Sequence, residues 1–135
     1  MAGWDEGTSF LSVATSVTRG LLGLDIPGCD AEDVARRAFA FAPVLRPLGD
    51  ELYVLELFHG PSCAFKDFGA CFLASLMDAF CARRARSATV LVATSGDTGS
   101  AVAQAFRGKS SVRVVILYPS GRVSDLQEKQ LTTVG

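Results

Sequence analysis

Apolar residues fall in two patterns along this chain: helix-spaced stripes, and short solid runs that begin only after residue 50. Scattered apolar positions from Thr8 to Leu24 read as one amphipathic helix, weakened at Gly20 and Gly23. Ile26-Pro27-Gly28 reads as a turn. Asp30 is placed to cap a second helix, with Glu32 and Asp33 in the first turn, where the helix dipole favours acids. Val34, Ala35, Ala38 and Phe39 form its apolar stripe, and Pro43 and Pro47 close it.

After residue 50, Leu52 to Phe58 reads as a mostly buried strand, broken by His59-Gly60-Pro61. Asp67 then opens a helix to about Arg84; Phe68, Phe72, Leu76 and Phe80 recur at helical spacing, and Leu73 and Met77 widen the face. Thr89 to Thr94 is a second strand, Ser95 to Gly99 a tight turn, and Ser100 to Phe106 a short helix stopped by Gly108. Val112 to Tyr118 is a third strand; Pro119-Ser120-Gly121 turns the chain, and Ser124 caps a helix through Leu131. The predicted fold class is α/β: a partial parallel sheet with helices on both faces, β-α-β-α-β-α from about residue 50, after a mainly helical N-terminal piece. Ligands of such sheets bind beyond the carboxyl ends of the strands, which places His59–Asp67, Ser95–Gly99 and Pro119–Ser124 on one rim.

Composition narrows the function. With 135 residues, 49% apolar and 20% charged, the chain is neither disordered nor low in complexity. Lys plus Arg number 13 against 14 acids, so no global field draws nucleic acid. No apolar run approaches the roughly 18–20 residues of a membrane span. The first ten residues carry two acids and no Lys or Arg, unlike a signal or transit peptide, so the expected location is cytoplasmic, or plastid if a transit peptide lies upstream. The four cysteines, at 29, 63, 71 and 81, form no CxxC pair, and His59 is the single histidine. Reduced, mostly buried thiols and no zinc site are expected.

Two loops could carry chemistry. Thr94 to Ser100 joins a buried strand to a helix. Its glycines permit a sharp turn, the helix start offers unpaired N–H groups, and Ser95, Thr98 and Ser100 add hydroxyls, a set suited to a carboxylate or phosphate. It is neither a P-loop nor a dinucleotide fingerprint. The alternative is a plain turn with Asp97 and Thr98 capping the helix. In the other loop, Lys66 lies between Phe65 and Asp67-Phe68 at a strand-to-helix junction. An amine so placed can form a Schiff base with a carbonyl; the alternative is a surface lysine paired with Asp67. His59 could act as a base or as a hydrogen-bonded structural residue, and Arg83, Arg84 and Arg86 read as a solvated helix end. Taken alone, each loop favours its structural alternative.

Three stretches in order, LELFHGPSCAFKDFG (55–69), VATSGDTGSAVAQAF (92–106) and VVILYPSGRVSDLQEKQLTTVG (114–135), resemble the threonine synthases, pyridoxal-phosphate enzymes of the tryptophan-synthase-β fold type. The resemblance covers roughly residues 25–135 and reverses both local preferences. It implies that Lys66 is catalytic and holds pyridoxal 5'-phosphate, that Ser95, Gly96, Asp97, Thr98 and Gly99 receive the substrate carboxylate, and that Asp97 lies beside the cofactor ring. As Asp97 would repel an anion, backbone N–H groups and hydroxyls would do the binding. The implied reaction takes O-phospho-L-homoserine and water to L-threonine and phosphate, with a small-molecule substrate, no nucleic-acid or membrane partner and no metal. Alternatives are a related phospholyase that only eliminates phosphate, and a truncated non-catalytic remnant. Ser62 stands where the family usually has threonine, keeping the hydroxyl; Cys63 stands for a larger residue, Cys71 for an often basic or polar one, and Asp125 for proline. Family members run to several hundred residues, with the cradle for the cofactor phosphate further along. The expectation is therefore a fragment, inactive alone: residues 1–49 the end of the N-terminal domain, and 50–135 the first part of the cofactor domain.

Overall fold

In the computed structural model, which describes residues 5, 7–22 and 30–134, the N-terminal stripe forms helix α1, Phe10–Leu22. Gly23, Leu24, the turn expected at Ile26-Pro27-Gly28 and Cys29 lie outside the described residues. Helix α2, Ala31–Ala38, starts at Asp30 as its sequence predicts: the Asp30 carboxylate accepts from the N–H groups of Glu32 at 3.0 Å and Asp33 at 3.2 Å. Val34, Ala35 and Ala38 are buried. Arg37 joins Asp33 at 2.8 Å on its own helix and Asp78 at 3.3 Å on the next, α3 (Lys66–Arg83).

Between α2 and α3 the expectation needs correction. Val44–Pro47 forms a strand, β1, that the sequence reading did not foresee. It pairs antiparallel with β2, Tyr53–Glu56, the core of the expected 52–58 strand. That strand therefore lies outside the parallel sheet, and it is not buried: Tyr53 is 54% and Leu55 56% exposed. A solid apolar run predicts extended backbone, but it does not identify the partner strand, and Pro43 and Pro47 concealed β1.

Helix α3 is the centre of the fold, and its faces divide the work differently from the sequence reading. Ala70, Ala74, Met77 and Cys81 pack toward the sheet and toward helix α4, Asp97–Phe106. These mostly small side chains let the two helices approach closely. The aromatic stripe points instead at the N-terminal helices. Phe72 stacks on Phe39 with centroids 6.0 Å apart, and Phe68 meets Phe10 edge-on at 6.1 Å. Edge and offset contacts of this kind suit the ring quadrupoles.

The parallel sheet has two strands, β3 (Ala88–Ala93) and β4 (Val112–Leu117), in register from Ala88↔Val112 to Ala93↔Leu117. Ala88, Val90, Val92, Val112 and Val114 face α3 and α4, and with Ala101, Val102 and Phe106 they complete the core. The opposite face carries Leu91 and Leu117, 65% and 53% exposed. Among the described residues, then, helical cover lies on one face, where cover on both was expected. The last helix, α5 (Asp125–Thr132), opens with a capping box between Ser124 and Gln127. No helix among the described residues is long and apolar enough to cross a membrane.

Candidate active site

The loop before α3 is bent around one carboxylate. Asp67 is fully buried; its two oxygens accept from the Ser62 backbone N–H at 2.9 Å and the Ser62 hydroxyl at 2.6 Å. Gly60 lies against the same group, and a Cβ added there would sit 2.4 Å from Asp67 Oδ2. Cys63, at the turn, holds a left-handed φ of 57°. This arrangement removes the surface-pair alternative: Asp67 is not the partner of Lys66 but the anchor of the loop, and Lys66 makes no ion pair with a described residue. The serine hydroxyl noted at position 62 is thereby given a structural use.

Lys66 is the first residue of α3, half-buried, with Nζ 4.6 Å from the centroid of the Phe65 ring. It stands between two hollows. One, of about 620 Å³, is apolar and lined by Leu57, Phe65, Phe68, Leu73 and Val102, with Thr98 at its edge. The other, of about 260 Å³, is polar and lined by Lys66, Thr94, Ser95, Gly96, Asp97 and Thr98, together with Gln127. The structure thus brings Lys66 to four of the five predicted loop residues. Gly99 is not among the lining residues: a Cβ there would meet Thr94 Cγ2 at 2.5 Å and Leu131 Cδ2 at 2.7 Å. Its role is close packing of α4 on β4 and α5.

Thr94, at the end of β3, organises the loop. Its Oγ1 accepts from the N–H groups of Gly96 and Gly99, each at 3.1 Å. Ser100 N–H donates to the Gly96 carbonyl at 3.1 Å. The first N–H groups of a helix have no partner within it. Since Gly99 is satisfied by Thr94, the orphans left at the start of α4 are those of Asp97 and Thr98, both beside the polar hollow. Gly96 itself has φ +151°, a conformation that side chains rarely adopt. Replacing Thr94 with valine keeps the shape and removes the acceptor. We expect a loss of about 1–2 kcal/mol in a urea titration, the usual magnitude for a lost helix cap.

The remaining candidates stay apart from this centre. His59 Nε2 lies 2.8 Å from Glu56 Oε2, which fits its structural reading. Arg83, Arg84 and Arg86 are exposed, and Arg84 lies over the Phe80 ring. Burial, reinforced by the Asp67 carboxylate and opposed by Lys109, pushes the Cys71 thiol up, making it a poor nucleophile. Cys81 is buried but Cys63 is exposed, against the expectation of mostly buried thiols.

Sequence reasoning missed Thr94, the Ser62–Asp67 clamp and Gln127 as parts of the site. The S-x-x-Q pattern at 124–127 signals a capping box. Nothing local signals that its glutamine reaches a loop 30 residues away.

No protein-family profile matches the chain. It is 46% identical over 115 residues to threonine synthase of Haemophilus influenzae, covering 85% of this chain and 27% of that protein. Its fold matches the crystal structure of threonine synthase from Escherichia coli with a TM-score of 0.81 at 43% identity, over 95% of this chain and 29% of that one. It matches PLP-bound threonine synthase from Brucella melitensis with a TM-score of 0.79 at 40% identity, over 92% and 28% of the two chains. The resemblance therefore runs through nearly the whole chain, and the chain spans less than a third of the length of these relatives.

Proposed function

We propose that this chain contributes the cofactor-anchoring lysine and the carboxylate-receiving loop of a threonine-synthase-type enzyme, which converts O-phospho-L-homoserine and water to L-threonine and phosphate. The observation that carries this reading is the placement of Lys66 on one polar hollow with Ser95, Gly96, Asp97 and Thr98. The similarity to threonine synthases, one of them solved with PLP bound, supports it. On this reading residues 50–135 are the first part of the cofactor domain, residues 1–49 close the domain before it, and the isolated chain is inactive.

The residues present suit pyridoxal phosphate. An amine without an ion-pair partner among the described residues stands between an apolar hollow able to take a planar ring and a polar one with two orphan N–H donors. When bound, the cofactor supplies an electron sink for carbanions formed on the substrate. Lys66 would hold it through Nζ, and the same amine would hold and move protons at the reacting carbons of the substrate. The N–H groups of Asp97 and Thr98 and the hydroxyls of Ser95 and Thr98 receive the substrate carboxylate, helped by the positive end of α4.

The test is borohydride reduction of the full-length protein loaded with pyridoxal phosphate, followed by peptide mapping and product analysis. Pyridoxyl on Lys66 and threonine formed from phosphohomoserine are the expected results. Label elsewhere in an active enzyme overturns the lysine assignment; 2-oxobutyrate and ammonia without threonine identify a phospholyase instead.

A further inference from the structure

The carboxylate-receiving loop contains a carboxylate of its own, and the structure shows how Asp97 is restrained. Its Oδ1 accepts from Gln127 Nε2 at 3.1 Å. The orientation of that amide is determined by its other end: Gln127 Oε1 accepts from the Ser124 backbone N–H at 3.1 Å and from the Ser124 hydroxyl at 3.2 Å. A backbone N–H can only donate, so the oxygen must face Ser124 and the nitrogen must face Asp97. Gly96 makes room for this contact, because a Cβ there would lie 2.4 Å from Gln127 Nε2. Gln127 itself lines the polar hollow with Lys66.

We propose that Gln127 is a positioning residue of the loop: its amide holds the Asp97 carboxylate toward α5, so that the Asp97 and Thr98 N–H groups stay open to an anion. The inference deepens the proposed function and rests on it for the identity of the anion. It does not rest on it for the loop geometry.

Gln127→Glu tests the contact by itself. Glutamate serves a capping box as well as glutamine does, so α5 keeps its cap, while the donor facing Asp97 becomes a second carboxylate. In the full-length enzyme, KM for O-phospho-L-homoserine is expected to rise about tenfold with kcat changed far less, the scale of a lost hydrogen bond to a charged group. In the ligand-free protein, the released Asp97 carboxylate turns to the open N–H groups, so the amides of Asp97 and Thr98 are expected to exchange with solvent about tenfold more slowly by the same estimate. Adding Asp97→Asn restores an amide opposite a carboxylate and should return the exchange rates toward wild type. Lys129→Gly, at an exposed position of α5 away from the hollow, should lower the melting temperature without moving KM. Unchanged exchange and unchanged KM in Gln127→Glu overturn the proposal, as does an equal KM shift in Lys129→Gly. If the wild type carries no pyridoxyl label on Lys66, the catalytic reading fails, and the exchange rates still decide the role of Gln127.

Discussion

Lys66→Ala is expected to cut turnover of the full-length enzyme by about a thousandfold or more, within the range that a positioned proton-transferring or nucleophilic group supplies. On the proposed function, the substitution removes both the covalent anchor and the group that moves protons at the reacting carbons. Lys66→Arg should lose as much, although it keeps the charge, because a guanidinium neither forms the covalent linkage nor gives up a proton near neutral pH. The fold should survive both changes. Lys66 occupies the first helical position, its side chain is half-buried, and it has no ion-pair partner among the described residues. The measurement is kcat beside the thermal melting curve and the visible absorbance of the bound cofactor. Turnover near the wild-type rate in either variant would remove Lys66 from the mechanism.

Asp67→Ala is the change expected to cost most in stability. The carboxylate is fully buried and accepts from both the Ser62 N–H and the Ser62 hydroxyl. Its removal leaves two buried donors without a partner and a void beside Gly60. Hydrogen bonds to charged groups contribute about 1.5–3 kcal/mol each, and such losses are not additive, so a total of about 2–4 kcal/mol is the expected scale. That is a large share of the roughly 5–15 kcal/mol by which domains are stable. Urea unfolding of the full-length protein measures it. Asp67→Asn keeps one acceptor and should lose less. Equal stability of wild type and Asp67→Ala would show that the loop is held by something else. Since the clamp sets the start of α3, the alanine variant should also weaken cofactor retention.

Much of this was legible from residue order alone. The Asp30 cap, the 18-residue helix at Lys66–Arg83 and the strands β3 and β4 follow from spacing and capping chemistry that act over a few residues. The two candidate loops were legible only through the resemblance, since glycine and hydroxyl residues between a strand and a helix serve a plain capped turn as well. Partner choice was not. The run at 52–58 has the same apolar composition whether it pairs parallel with a distant strand or antiparallel with Val44–Pro47. The second packed face of α3 was hidden for a related reason: periodicity identifies a stripe, but alanines at 70 and 74 are equally apolar and pack closer. The reach of Gln127 to Asp97 depends on where α5 docks, which only the assembled fold determines.

Helix α3 has an implication for how this sequence can drift. One side is committed to Phe10 and Phe39, a second to the alanines and valine of α4 and the strands, and a third, through Gly69 and Leu73, to the hollow beside Lys66. A helix of this kind has almost no neutral positions. A larger residue at Ala74 presses on α4, a smaller one at Phe72 opens a gap under α2, and a charge at Leu73 enters the apolar hollow beside Lys66. Change within it must then come as matched pairs with a neighbouring helix. Freely tolerated substitutions are left to the exposed end at Ala82–Arg84, four turns from the lysine that the helix carries.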